Sequence, residues 1–213
     1  MSQIVNFNDT TPVAPATGVN AKWQNDASTP PNVSAYTLLP IVNFAQAAQS
    51  QTVVSGTAYY ITNSNLQMPA TYTKAIGAGT TMKWRIALTK TNAGTGTFQI
   101  IIYMGTLGTT GDTAEVTQTI GTQTAVVDNM ECDIVVTFTS ATAFYWTMIP
   151  RQSAASGTGF GLVYPAAAAQ FSGTVTGLTT TTASLIFGLG VVFTTGTPTF
   201  VVSEVQAEAK GVV

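Results

Sequence analysis

The stretch Thr81-Met82-Lys83-Trp84-Arg85-Ile86-Ala87-Leu88-Thr89-Lys90 decides the fold. Its residues alternate in character with a period of two. Met82, Trp84, Ile86 and Leu88 fall on one side; Lys83, Arg85, Ala87 and Thr89 fall on the other. Side chains of a strand point to opposite faces in turn, so this is a strand with one buried and one wetted face. It carries three of the chain's seven basic residues, Lys90 included. Asn92–Gly96 (NAGTG) is a turn cluster. Phe98–Met104 (FQIIIYM) is apolar on nearly both faces, which predicts a central strand.

Working outward, Gly105–Asp112 reads as a glycine-rich loop and Glu115–Ile120 as a weak strand. Glu131–Thr139 alternates well, with Cys132, Ile134, Val136 and Phe138 inward. Thr142–Ile149 pairs with it across Ser140-Ala141. Arg151–Gly161 is a loop, and the alanine run Pro165–Ala169 is too short to nucleate a helix. Gln170–Leu178, Ser184–Thr194 and Thr199–Glu208 read as strands. In the last, Phe200, Val202, Glu204 and Gln206 share one side. Gly188 and Gly190 share a face on which a bulky neighbour can approach. Upstream, Asn63–Gly79 reads as a loop with one helical turn near Leu66. Gln51–Thr62 is a strand broken at Ser55-Gly56, or two short strands. Pro40 makes Thr37–Ala48 an edge strand or an irregular entry. Eight to ten strands with frequent turn clusters predict an all-β, antiparallel two-sheet jelly-roll-like sandwich.

Composition narrows the function. Charged residues are 8% of the 213, with a net charge of -2. The pI is near 4.8. Seven basic residues cannot neutralise a phosphate track, so nucleic acid is not an expected partner. There is no basic cluster for an anionic membrane and no apolar run long enough to span one. The opening MSQIVNFNDT has neither a basic n-region nor an apolar core, so no secretory signal is expected. So few charges imply that part of the surface is covered in an oligomer or larger assembly.

The chemistry available is limited. With no histidine, Ser-His-Asp and Cys-His arrangements are impossible, and a Cys/His zinc site is excluded. The single cysteine, Cys132, reads as a small buried apolar residue. Glu131 and Asp133 share a strand face and Asp112 and Glu115 sit in or beside a loop. A glycosidase needs two carboxyls with a sugar between them, and solvated carboxylates at strand ends explain these pairs as well. No DxDxDG-type calcium run exists. Gly157-Thr158-Gly159-Phe160-Gly161 lacks the Lys and the helix of a phosphate loop. Trp84, Phe144 and Trp146 read as packing residues. For Phe160 and Tyr164, beside loops, sugar stacking and packing stay equally open. No catalytic residue, cofactor or metal is expected.

Phe7–Tyr36, FNDTTPVAPATGVNAKWQNDASTPPNVSAY, differs from the rest. Four prolines and the absence of any apolar period make it an extended arm. Phe7, Val13, Val19, Trp23, Val33 and Tyr36 are spaced along it. A flexible spacer has no use for a tryptophan, whereas a strap lying on another surface does. The expected organisation is an attachment arm at 1–36 and a β domain at 37–213, with those six residues as its contacts.

This arm resembles a segment near the N-termini of structural proteins of tailed bacteriophages. The resemblance rests on Asp9-Thr10-Thr11-Pro12, Gly18-Val19-Asn20, Lys22-Trp23-Gln24 and Asn32-Val33-Ser34-Ala35-Tyr36. The body is similar to the β domain that follows in such proteins, at Gly77-Ala78-Gly79-Thr80, Lys83-Trp84-Arg85, the Gly105–Asp112 loop and Val205-Gln206-Ala207-Glu208. The resemblance implies a homotrimeric knob with an attachment segment, made in the host cytoplasm and carried on the virion. A capsid decoration or cement protein on the major capsid protein, or on another virion protein, is the first expectation. The alternative is a tail-fibre or receptor-binding knob recognising a host glycan or protein, with loops around Asn92, Gly105 and Gly157 as its contact tips. A polysaccharide depolymerase using Glu131 or Asp133 is the third.

Overall fold

A computed structural model describes residues 41–45, 49–52, 56–68, 76–91, 95–163, 170–180, 185–196 and 199–210, the first two segments by backbone alone. These residues form twelve strands: β1 Ile41–Ala45, β2 Gln49–Thr52, β3 Ala58–Tyr60, β4 Leu66–Met68, β5 Thr81–Lys90, β6 Thr97–Gly105, β7 Thr113–Thr122, β8 Asp128–Ser140, β9 Ala143–Gln152, β10 Phe171–Thr176, β11 Leu185–Phe193 and β12 Thr199–Lys210. The pairings among these strands are antiparallel.

The larger sheet runs β1-β12-β5-β8-β9-β10, with β2 joining β1 alongside β12; the smaller runs β3-β11-β6-β7, with β4 beside β3 on β11. Followed in order, the chain passes from the larger sheet (β1, β2) to the smaller (β3, β4), back to β5, across to β6 and β7, and back to β8. It later crosses to β11 and returns to β12. That alternation is a jelly roll, with the β9–β10 pair added to the larger sheet's edge. The chain changes sheets between β2 and β3. Gly56 N–H meets the Phe193 carbonyl at 2.7 Å there.

The inner faces of the sheets form one core, and alternation in β5 holds over the strand: Met82, Trp84, Ile86 and Leu88 are buried. Phenylalanines gather in two groups. Phe98 packs against Phe160 and Phe193, with centroids 5.1 and 4.9 Å apart, and Phe193 against Phe200. Phe138 packs edge-on against Phe144 and Phe187. Such pairs add to area burial through ring-edge electrostatics. Trp84 brings a polar atom into the core, and its indole N–H donates to the Ser64 carbonyl at 2.7 Å. The Ser64 hydroxyl donates to the Ile61 carbonyl and accepts from the Leu189 amide, which ties β5 to β11 through one buried serine. Gly188 and Gly190 are where the approach was expected. A Cβ on Gly188 would sit 1.7 Å from the Tyr60 hydroxyl, and one on Gly190 2.5 Å from the Tyr103 ring.

Two readings need correction. Leu66 begins β4, not a helical turn; three residues pairing with Leu185–Phe187 are too short to show a period. In β12 the four residues expected on one side are split. The register slips between Val202 and Glu204, so Phe200 and Val202 point inward but Val205, Ala207 and Ala209 take over after the bulge. One extra residue reverses the faces and turns Glu204 and Gln206 outward. Lys90, which the alternation left unassigned, takes the inward side with Leu88 and is fully buried.

Candidate functional site

The arm residues Phe7, Val13, Val19, Trp23, Val33 and Tyr36, the boundary at 36/37, the alanine run 165–169 and Tyr164 lie outside the described residues. The structure therefore speaks to the β body, where polar chemistry collects in two places.

The first is the outer face of the larger sheet. Of the chain's seven basic and nine acidic residues, Lys83, Arg85, Arg151 and Lys210 stand here with Glu131, Asp133, Glu204 and Glu208. Arg85 pairs with Glu131 at 2.9 Å, Arg151 with Asp133 at 2.7 Å and Lys210 with Glu208 at 2.9 Å. Register explains the crossing pattern: Arg85 stands opposite Asp133 and Glu131 opposite Arg151, so each arginine reaches diagonally to the neighbouring rung. A shallow depression of about 420 Å³ follows β12, β5 and β8 across this face, lined by Lys83, Arg85, Asp133, Val135, Gln206 and Glu208. The two carboxylates of the glycosidase reading are thus each held by a guanidinium. These half-exposed pairs contribute about 0–1 kcal/mol each. Between them, Cys132 points into the core. Burial, with the Asp133 charge adding, pushes its thiol up to about 12. A thiol that stays protonated is a poor nucleophile.

The second place is one end of the sandwich. The described residues 56–57, 91, 95–96, 123–127, 153–163, 170 and 194–196 flank their strands at this end. Asp128, first residue of β8, is buried and accepts four hydrogen bonds from the glycine-bearing loop. Its Oδ1 takes the Ser153 amide (3.1 Å), the Ser153 hydroxyl (3.0 Å) and the Ala154 amide (2.7 Å); its Oδ2 takes the Phe160 amide (3.0 Å). Lys90, its register partner on β5, donates from Nζ to the carbonyls of Thr124 (2.5 Å) and Val126 (3.0 Å). Burial pushes the Lys90 ammonium below the ordinary lysine range, and the Asp128 charge works against that. The Thr124 amide donates to the Gly159 carbonyl at 3.0 Å, and the Gly159 amide to the Thr124 hydroxyl at 2.8 Å. One buried cation and one buried anion therefore hold the two loops from beneath and side by side.

Gly157, Gly159 and Gly161 have φ of 75°, 61° and 82°, the left-handed region that favours glycine. At Gly161 a Cβ would lie 1.9 Å from the Thr122 carbonyl oxygen. The glycines are there for backbone shape and close approach. Phe160, open between sugar stacking and packing, is fully buried against Phe98. The three loops proposed as contact tips do not share a surface. Asn92 lies outside the described residues; the loop 153–163 lies at this end, while Gly105–Asp112, joining β6 to β7, lies at the opposite end. There the Asp112 carboxylate accepts the amides of Leu107, Gly108 and Thr109.

Lys90 and Asp128 carry the most demanding electrostatics among the described residues, and the sequence reading missed both. The signal for Lys90 was parity with Leu88. For Asp128 it was the inward series Met130, Cys132, Ile134 carried back one more step.

No family model and no curated protein matches this chain. Among solved structures it is similar to lectin I from Ulex europaeus in complex with the methyl glycoside of α-L-fucose. The identity is 9%, covering 80% of this chain and 97% of that one, with a TM-score of 0.38. It is also similar to infectious bursal disease virus-derived T=1 particles (12% identity, 94% and 44% covered, TM-score 0.30). The VP2 subviral particle of the same virus is a further neighbour (14%, 92% and 46%, TM-score 0.29). The chain spans less than half of those viral chains. Its class, an all-β jelly-roll sandwich, rests on its own strand order.

Proposed function

We propose that this chain is a structural protein of a virus particle, a capsid decoration protein of the tailed-phage kind that works as a homotrimer. The observation that carries the reading is how the body uses its charged groups. Glu131, Asp133 and Glu208 are ion-paired, and Asp112 and Asp128 hold loop amides. They are committed to scaffold, which suits a protein whose work is attachment. The resemblance of the arm 1–36 to phage attachment segments supports the same reading, with Trp23 and its neighbours lying on the major capsid protein. Three arms on one trimer would convert weak single contacts into avidity. A particle protein of this kind needs neither catalyst nor cofactor.

The experiment is localisation. The reading expects this chain in purified particles, as density on the head lattice by cryo-electron microscopy. Full-length protein added to heads lacking it should bind them, and a Trp23→Ala variant should bind at least about 10-fold more weakly. Density at the tail tip, or absence from particles, would overturn the placement.

A further inference from the structure

The surface of the described body is divided. The larger sheet's outer face holds four basic and four acidic side chains. The smaller sheet's outer face has an apolar centre that is already buried, with Ile101, Tyr103 and Val192 at 5%, 3% and 9% exposure, and a polar flank of Gln99, Thr117 and Thr119. The end built on Lys90 and Asp128 is neither. Val126, Val127 and Val163 are 44%, 60% and 65% exposed there. They stand on the two loops that the buried charges hold, and none of the described connecting residues at this end, 56–57, 91, 95–96, 123–127, 153–163, 170 and 194–196, is an Asp, Glu, Lys or Arg.

We infer that this end, centred on Val126, Val127 and Val163, is where copies of this chain meet about a rotation axis. Charge selects the occupant. Close to such an axis every residue faces its own image, so any charge there meets the same sign and repels it. A patch for an unlike partner is free to carry charges that its partner complements; a patch for its own copy near the axis is not. The described connecting residues at this end carry no charge and satisfy that condition, whereas the opposite end carries Asp112. Pre-organisation supports it too. The Lys90 and Asp128 hydrogen bonds fix both loops before any contact forms, so association loses little backbone entropy at the patch. The inference gives a location to the homotrimer of the proposed function and rests on that reading for the number three only.

The test uses the purified full-length chain in sedimentation velocity across a concentration series. The wild type should associate. Val127→Asp and Val163→Asp should each raise the dissociation constant at least about 10-fold, while Leu107→Asp at the opposite end should leave it unchanged. Val127→Cys guards against a misfolded variant: oxidation should yield an intermolecular disulfide, and Leu107→Cys should not. A wild type that stays monomeric, association that survives both aspartates, or cross-linking from Leu107→Cys alone would each overturn the inference. So would a Val127→Asp chain that still associates but no longer binds particles, since the patch would then belong to another virion protein. Absence of the chain from particles would sink the virion reading and leave this result standing.

Discussion

Asp128→Ala is the sharpest perturbation of the fold. It removes an acceptor from the Ser153, Ala154 and Phe160 amides and the Ser153 hydroxyl. Only the Phe160 bond is fully buried, so water can reach the others in part. A buried donor left unmet costs about 1–3 kcal/mol, and each partly wetted bond about 0.5–1.5 kcal/mol. Lys90 also loses its nearby counter-charge while staying buried. The one buried donor and the three partly wetted bonds together set an expected loss of about 4 kcal/mol. With a urea slope near 2 kcal/mol/M, the midpoint falls by about 2 M. Hydrogen exchange adds location: protection should drop in 123–127 and 153–160 and hold around the Phe138–Phe144 hairpin. Lys90→Met should cost less, because the carboxylate keeps its four donors. Combined with Asp128→Asn, it should show a coupling of at least about 1 kcal/mol. A loss below about 1 kcal/mol for Asp128→Ala, or protection falling equally at both ends, would refute the latch.

Three further outcomes are expected. Cys132 should resist alkylation in the native state at pH 8 and react at once in urea. Because its folded thiol is raised from 9.0 to about 12, the unfolded chain releases that proton first as pH rises from 9. Stability should therefore fall through that window, by up to about 4 kcal/mol from this group. Burial raises Tyr60 and Tyr103 in the same sense, whereas Lys90, lowered by burial, opposes them below the ordinary lysine value. Comparing the pH dependence of urea midpoints for wild type and Cys132→Ala isolates the thiol, and equal slopes would contradict its burial. Gly161→Ala, at φ 82° and against the Thr122 backbone, should cost at least about 2 kcal/mol by thermal or urea unfolding. Arg85→Ala should cost under about 1 kcal/mol despite its 2.9 Å ion pair, since both partners are half exposed.

Much of the sandwich was legible because strand alternation is local. The inward series Met82–Leu88 and Cys132–Phe138, the β8–β9 hairpin and the glycine faces of β11 all follow from period two. What was not legible depends on tertiary context. The β12 bulge inserts one residue without changing composition, so nothing in Phe200–Gln206 announces the reversal. β4 exists because β11 offers it an edge. Asp128 and Lys90 look like surface residues until their strands are placed in register, and only then does a buried charge acquire its partners. The glycine loop was legible as a loop without a phosphate motif, and its three positive φ values turn it tightly; that a carboxylate 32 residues upstream holds it is beyond any local signal.

The position of β12 has a kinetic consequence. It lies between β5 on one side and the β1 and β2 pair on the other, joining Ile41 to Ala209 across most of the chain. Until β12 has been synthesised, β1 and β2 lack the strand they pair with, and β5 has an open flank. The larger sheet closes last, and on contacts of long sequence separation, which places folding in the slow, millisecond-to-second regime of such topologies. A nascent chain therefore exposes half-built edges while it waits. On a growing polypeptide those edges are the hazard, and the short β1 and β2 limit how much of them a wrong neighbour can copy.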